Sequence, residues 1–130
     1  MSLQISMLLK NLIKDTPKNK ENTLIAGISS NSKDIKKNYI FFAIRGVKKN
    51  GEKFINDAIK KGAIVVICSD KCNYKNKKVL VIKKKNVRKF LSEVSSNFYQ
   101  LKPKNIIAIT GTKGKTSIAD MFFQILKLNN

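Results

Sequence analysis

A glycine-rich segment at 110–117, Thr-Gly-Thr-Lys-Gly-Lys-Thr-Ser, combines residue types that bind a polyphosphate. Gly111 and Gly114 allow backbone N–H groups to approach phosphate oxygens, because neither residue carries a Cβ. The Lys115 ammonium can reach the outer phosphates of a nucleoside triphosphate, and the Thr116 hydroxyl can coordinate a bound Mg²⁺. The segment therefore predicts a nucleoside triphosphate site formed by Gly111, Thr112, Lys113, Gly114, Lys115, Thr116 and Ser117.

The flanking residues predict a strand before this segment and a helix after it. The residues at 106–109 are apolar, and an amphipathic run begins near Lys115. A helix that begins there directs the partial positive charge of its N-terminus towards the phosphates. The segment differs from the standard P-loop pattern, since Ile109 stands where that pattern has its first glycine. An ordinary turn between strand and helix is the alternative, and the order of the elements favours the phosphate site.

Length and charge narrow the classes of function. The 130 residues suffice for one domain and the beginning of another. Lysine and arginine number 27 against 8 acidic residues, a formal net charge of +19, which raises the alternative of a basic nucleic-acid-binding module. Only Arg45 and Arg88 are arginines, however, although arginine is favoured for forked contacts to bases and phosphates. Because the lysines are also spread along the whole chain, we expect no specific nucleic-acid partner.

Membrane and secreted proteins do not fit the sequence. There is no apolar stretch of the about 20 residues that a membrane span requires, and residues 1–10 lack the pattern of a secretory signal. Cys68 and Cys72 are too few for a disulfide framework, and the chain has no histidine to complete a zinc site. We therefore expect a cytoplasmic protein with two reduced cysteines.

Apolar periodicity predicts an α/β fold with a mixed, partly parallel sheet and flanking helices. Helices are expected at 6–13, after a cap at Asn50, and after a cap at Asn86. The helix after Asn50 is expected to end at Gly62 and to bury Phe54, Ile55, Ala58 and Ile59. Strands are expected at 24–28, 39–44, 63–67 and 79–82.

The sequence Lys-Pro-Lys at 102–104 interrupts this alternation and predicts a domain boundary. The predicted domains are 1–102 and 103–130, and the second holds only the strand, loop and helix around the glycine-rich segment. That last helix has a wide apolar face for which the following residues offer no partner, formed by Met121, Phe122, Ile125, Leu126 and Leu128.

Several motifs taken together resemble the Mur ligases of peptidoglycan synthesis. They are Ser-Asn-Ser-Lys at 30–33, Asn-Tyr-Ile-Phe-Phe-Ala-Ile-Arg-Gly at 38–46, Asn-Gly at 50–51 with the apolar pairs at 54–55 and 58–59, Gly-Ala at 62–63, and the segment 110–117. The resemblance is strongest to the MurE type, which adds the third residue of the stem peptide. The MurF type, which adds D-Ala-D-Ala, is the alternative because it shares the first motifs. It more often has Ser at the position of Thr112, so the MurE type is preferred.

The resemblance implies an N-terminal domain for a UDP-sugar, a central ATPase and a C-terminal domain for the incoming amino acid. This chain would hold the first domain and the beginning of a P-loop ATPase domain. The implied ligands are UDP-MurNAc-L-Ala-D-Glu, ATP and Mg²⁺. In the implied reaction a substrate carboxylate becomes an acyl phosphate, which the amino group of meso-diaminopimelate or lysine displaces. The resemblance places no catalytic residue of the family within this chain, so we expect the chain to be inactive alone. It also implies that the full-length enzyme is a monomer.

By position, the resemblance implies that the UDP-sugar contacts Ser30, Ser32, Val47, Lys48 and Lys49. Hydroxyls can bond to uracil or phosphate oxygens, and ammonium groups suit a diphosphate. The alternatives are that the serines only close a turn and that the lysines lie in a solvated loop. The chain has Asn-Ser-Lys at 31–33, where the family usually has Asp-Ser-Arg, and Lys113 where Asn is usual. We therefore expect any ion pair that braces the 31–33 turn to be lost or replaced.

Overall fold

The structure is a computed structural model, and it describes residues 6–47, 49–101 and 103–129. The chain divides into two compact units, Met1–Gln100 and Leu101–Asn130, and each is described by itself. The assignment of 1–102 and 103–130 as domains stays a prediction, and Lys102 lies outside the described residues.

The first unit begins with a short antiparallel pair. Strand β1 (Met7–Leu8) is followed directly by helix α1 (Leu9–Leu12), and β1 pairs with β2 (Leu24–Ile25). The prediction of a helix over 6–13 is thus wrong for its first residues. Their backbone pairs with residues more than a dozen positions away, and a periodicity within the segment does not record such a partner. The hydrogen bond from Leu9 N to Thr23 O, 2.9 Å long, continues the same contact into the helix.

A four-stranded parallel sheet forms the centre of this unit. Its strands lie side by side in chain order and are β3 (Gly27–Ser29), β4 (Tyr39–Phe42), β5 (Ala63–Ser69) and β6 (Leu80–Lys84). The α/β prediction is confirmed, and the main sheet is more uniformly parallel than the sequence indicated. The predicted strand at 24–28 is instead two strands separated at Ala26, because its first half pairs with β1 and its second half with β4.

Two asparagine caps start the elements that follow β4 and β6, as predicted. The Asn50 side chain accepts a hydrogen bond from Glu52 N and begins a 3₁₀ turn (Gly51–Phe54) that leads into α2 (Ile55–Lys60). Helix α2 ends at Lys60, shortly before Gly62, whose φ of 113° is readily adopted by glycine. The Asn86 side chain accepts from Lys89 N and begins α3 (Val87–Phe98).

Both faces of the sheet are covered, which explains why its strands are nearly continuous apolar runs. Alternate residues of a strand point to opposite faces. Ile40, Phe42, Val65 and Ile67 pack with residues of α1 and α3, including Leu9, Val94 and Phe98. Phe41, Ala43, Val66 and Cys68 pack with Ile55 and Ala58 of α2. The sheet is therefore a rigid support for the loops at its carboxyl ends.

In the second unit, α4 (Lys115–Leu128) follows the glycine-rich segment as predicted. The residues at 106–109 form no strand, so the predicted strand is wrong in this structure. A strand is defined by hydrogen bonds to a neighbouring strand, and the described residues of this unit contain no strand with which 106–109 could pair. The exposed apolar side chains of α4 are Ile118, Met121, Phe122, Phe123, Ile125, Leu126 and Leu128.

No helix in the described ranges is both long and apolar enough to cross a membrane.

Candidate functional site

A cleft of about 430 Å³ lies where β3 and β4 end. The turn after β3 lines it with Ser30, Asn31, Ser32 and Lys33. The segment after β4 contributes Ile44, Gly46, Lys49, Gly51 and Phe54, and Arg88 of α3 completes the lining. Parallel strands bring their carboxyl ends to one edge of a sheet, and that edge is where ligands bind in open α/β folds. We call this cavity the β3–β4 cleft.

The turn after β3 is held by hydrogen bonds among its own polar side chains. Asn31 N donates to Ser29 Oγ over 3.0 Å, and Lys33 N donates to Asn31 Oδ1 over 3.1 Å. The second amide atom of Asn31, Nδ2, donates to Asp34 Oδ2 over 2.9 Å. An amide–carboxylate hydrogen bond between Asn31 and Asp34 therefore braces the turn and gives it a defined shape.

Ser32 connects this turn to helix α2. Its relative exposure is 7%, and its carbonyl oxygen accepts a hydrogen bond from Lys61 Nζ over 3.2 Å. Lys61 Nζ also lies 3.5 Å from Asp57 Oδ2. A hydrogen bond from the Ser32 side chain lowers the pKa of Asp57, and the positive charge of Lys61 lowers it further. Ser32 therefore joins the turn to helix α2, and it also borders the cleft.

The segment after β4 is a tight loop stabilised at both ends. Gly46 N donates to Lys49 O and Gly51 N donates to Ile44 O, each over 2.8 Å. A Cβ on Gly51 would lie 2.6 Å from Ile44 O, so only glycine fits without displacing backbone. The loop presents Lys49 to the cleft, whereas Val47 is fully exposed and does not line it. Lys48 lies outside the described residues.

An ion pair fixes the base of this loop. Both Nε and Nη2 of Arg45 donate to Glu52 Oε2, over 2.9 and 2.7 Å. This hydrogen bonding to Glu52 raises the pKa of Arg45 above its usual value. The other carboxylate oxygen, Glu52 Oε1, is buried without a hydrogen-bond partner among the described residues.

Phe54 and Arg88 line the cleft, although the sequence predicted this for neither residue. Phe54 was expected in the core, but its relative exposure is 43%, because α2 begins only at Ile55 and the preceding turn directs Phe54 to the cleft. Arg88 is remote in sequence and reaches the cleft only because α3 follows the edge strand β6. The one available signal was that Arg88 is an arginine in a chain whose cations are almost all lysine.

Two glycines of the glycine-rich segment in the second unit have positive φ angles, which favour glycine. Gly111 has a φ of 146° and Gly114 a φ of 77°, and a Cβ added to Gly114 would meet no atom within 4 Å. Lys115 Nζ donates a hydrogen bond to Gly111 O, so its ammonium lies against the loop. The side chains of Thr112, Lys113, Thr116 and Ser117 are exposed on the loop and in the first turn of α4.

The fit to a metal held by protein alone is poor. No group of at least three His, Cys, Asp or Glu residues in the described ranges could hold a metal ion. The Thr116 hydroxyl is a single ligand, so a Mg²⁺ here would depend on the phosphates of a nucleotide for its other oxygens.

Cys68 and Cys72 are free, buried thiols, and burial raises the pKa of Cys68 to about 12. A neutral buried thiol is a poor metal ligand and nucleophile.

Curated relatives with high identity are named as peptidoglycan ligases. The UDP-N-acetylmuramoyl-L-alanyl-D-glutamate--2,6-diaminopimelate ligase of Rickettsia prowazekii is 43% identical over 108 residues, which are 83% of this chain and 22% of that protein. The corresponding ligase of Rickettsia bellii is 46% identical over 104 residues, 80% of this chain and 20% of that protein. The UDP-N-acetylmuramyl-tripeptide synthetase of Borrelia garinii is 34% identical, with 98% of this chain and 26% of that protein covered. The chain thus spans about a fifth to a quarter of these relatives.

Solved structures support the fold. The MurF ligase from Thermotoga maritima in complex with ADP matches 77% of this chain and 23% of its own, with a TM-score of 0.61 at 22% identity. A MurF from Acinetobacter baumannii matches 71% of this chain and 21% of its own, with a TM-score of 0.55 at 17% identity. The family model described as "Mur ligase family, catalytic domain" matches residues 24–99, which include both turns that line the β3–β4 cleft. Because that match covers more than half of the 130 residues, this chain belongs to the Mur ligase family.

Proposed function

We propose that this chain is the N-terminal part of a MurE-type ligase of peptidoglycan synthesis. The complete cytoplasmic enzyme would use ATP to add meso-diaminopimelate or lysine to UDP-MurNAc-L-Ala-D-Glu. The observation that carries the proposal is 43% identity, over 83% of the chain, to a relative named as the diaminopimelate-adding ligase. The MurF alternative has weaker support, because the MurF structures share the fold at only 15–22% identity.

In this proposal the β3–β4 cleft binds the UDP moiety. The Ser30 hydroxyl and the remaining bonding capacity of the Ser32 hydroxyl serve uracil or phosphate oxygens. Lys49 contributes positive charge for the diphosphate. The exposed ring of Phe54 and the partly exposed Ile44 offer an apolar surface to the base, since aromatic rings stack on bases. Val47 and Lys48 belong to the same proposed loop contact, although Val47 does not line the cleft here.

The segment Gly111, Thr112, Lys113, Gly114, Lys115, Thr116 and Ser117 is proposed to hold ATP. The Lys115 ammonium would exchange its bond to Gly111 O for a phosphate oxygen, and backbone N–H groups at the start of α4 would face the same anion. Thr116 would give one hydroxyl to Mg²⁺. ATP, when bound in the complete enzyme, supplies the phosphoryl group that activates the substrate carboxylate.

The proposal is tested by titrating the 130-residue chain with UDP-MurNAc-L-Ala-D-Glu in a calorimeter. A second titration with MurNAc-L-Ala-D-Glu, which lacks UDP, is the matched control. We expect heat of binding with the first ligand and none with the second. Equal binding of the two ligands, or no binding of either, contradicts a UDP site.

A salt series separates this function from the nucleic-acid alternative. Attraction of lysines to random duplex DNA should weaken by orders of magnitude between about 0.05 and about 0.2 M salt. A UDP-sugar carries few charges, so its binding should weaken much less over the same range. We also expect no ATP hydrolysis above background. Robust hydrolysis by the chain alone would contradict the proposal that the catalytic residues lie outside these 130 residues.

A further inference from the structure

The charged side chains that line the β3–β4 cleft are cationic. Among the described residues its charged side chains are Lys33, Lys49 and Arg88. A second cleft, of about 460 Å³, lies beside α1 and α3, and we call it the α3 groove. Its lining mixes the carboxylates of Asp15 and Glu93 with Lys14, Lys84, Lys85 and Lys89. The charge pattern of the β3–β4 cleft therefore suits a compact polyanion, whereas the α3 groove balances part of its own charge.

The two arginines of the chain are used differently. Arg45 donates twice to Glu52 and so has its guanidinium committed to the loop. Arg88 is exposed, and no carboxylate of the described residues pairs with it. Its Nη2 lies 4.0 Å from the position that a Cβ on Gly46 would occupy. The guanidinium therefore lies close to Gly46, in the same loop that carries Lys49.

We propose that Arg88 binds the diphosphate of the nucleotide sugar in the β3–β4 cleft. The inference rests on the proposed function, because that function supplies the nucleoside diphosphate. A guanidinium presents several N–H groups in a fixed plane and can bond two phosphate oxygens at once, which an ammonium cannot do with the same geometry. Arg88 then discriminates between a nucleoside diphosphate and a nucleoside monophosphate, while the Ser30–Ser32 turn and Phe54 contact the other end of the ligand.

The neighbouring Lys89 provides a matched control. It is exposed, it lies on the same turn of α3, and it lines the α3 groove instead of the β3–β4 cleft. Arg88→Gln and Lys89→Gln thus remove the same charge from adjacent positions. Both are surface substitutions, so both variants should retain the parent melting temperature. Arg88→Lys keeps the charge and removes the planar fork.

The experiment measures the affinity of the 130-residue chain and these variants for UDP and UMP by calorimetry. We expect Arg88→Gln to weaken UDP binding by about 10- to 100-fold, the range for hydrogen bonds to charged groups. We expect Lys89→Gln to weaken it less than about threefold, as a screened distant charge does. The loss in Arg88→Gln should be smaller for UMP, and Arg88→Lys should recover only part of the UDP affinity.

Three results would overturn the inference. Equal weakening by Arg88→Gln and Lys89→Gln would mean that general positive charge attracts the ligand. Unchanged UDP affinity in Arg88→Gln, with the parent chain still binding UDP, would remove Arg88 from the site and leave the proposed function intact. If the parent chain binds neither UDP nor UDP-MurNAc-L-Ala-D-Glu, the proposed function itself fails, and the inference fails with it.

Discussion

Substitution of Gly51 by alanine tests whether backbone contact shapes the loop beside the cleft. The new Cβ would lie 2.6 Å from Ile44 O and 2.8 Å from Ile44 N, whereas ordinary contact begins near 3.4 Å. The backbone must therefore move by about 0.8 Å, the difference between the ordinary and the shorter distance. That movement also strains the hydrogen bond from Gly51 N to Ile44 O, which is 2.8 Å long.

The competing free-energy terms predict a clear loss of stability. Overlap with backbone atoms costs about 2–3 kcal/mol, because these atoms cannot rotate away. Weakening of the hydrogen bond costs up to about 1 kcal/mol. The alanine restricts the unfolded chain and so stabilises the protein by about 0.4–1 kcal/mol, which is too little to compensate. The free energy of unfolding should fall by about 2–3 kcal/mol, which corresponds to about 10–20 °C in melting temperature for a domain of this size.

Thermal unfolding followed by far-ultraviolet circular dichroism measures this change. The control is Gly114→Ala, because its new Cβ meets no atom within 4 Å and its cost is confined to a left-handed backbone at the start of α4. We expect the main transition of the control to stay close to that of the parent. A Gly51→Ala melting temperature within about 2 °C of the parent would refute the steric reasoning, and would indicate that the loop can relax.

Substitutions at two further positions, Asp57 and Asn86, test contacts that stabilise the first unit. The folded-state pKa of Asp57 is below its usual value of 3.8, so its contribution to stability is present above that pH and is lost as the pH falls through the folded-state pKa. The difference in melting temperature between the parent and Asp57→Asn should therefore shrink below pH 3.8, and a difference that stays constant with pH would contradict this assignment. Asn86→Ala removes the side chain that accepts from Lys89 N and should destabilise the chain by about 1 kcal/mol in urea unfolding, whereas Asn86→Asp should preserve the cap.

Local signals in the sequence were sufficient for part of the fold. Three kinds of feature depend on residues within a few positions of one another: the caps at Asn50 and Asn86, the end of α2 shortly before Gly62, and the apolar strand β5. The pairing of strands that are distant in sequence could not be predicted from such local signals. The residues of β1 have helical spacing, but their partner is β2, and the apolar residues at 106–109 form no strand because a strand needs a neighbour.

The site shows the same division. Ser30, Ser32 and Lys49 were predicted from motifs, and the structure brings all three to one cleft. Arg88 was not predicted, since its place in the cleft depends on the order of strands in the sheet and not on its neighbours in sequence. The binding roles of all these residues stay predictions until ligands are titrated.

The parallel arrangement of β3 to β6 has a consequence for how the chain reaches this structure. No two neighbouring strands of that sheet are joined by a hairpin, and even the shortest connection runs from Ser29 to Tyr39. Every ladder therefore forms only after a connection of at least nine residues has been closed and its entropy lost, so the pairing of this sheet should be slower than the formation of the helices. During that delay the apolar run of β5 stays in water, which makes the kinetics of refolding, and not only the final stability, sensitive to concentration.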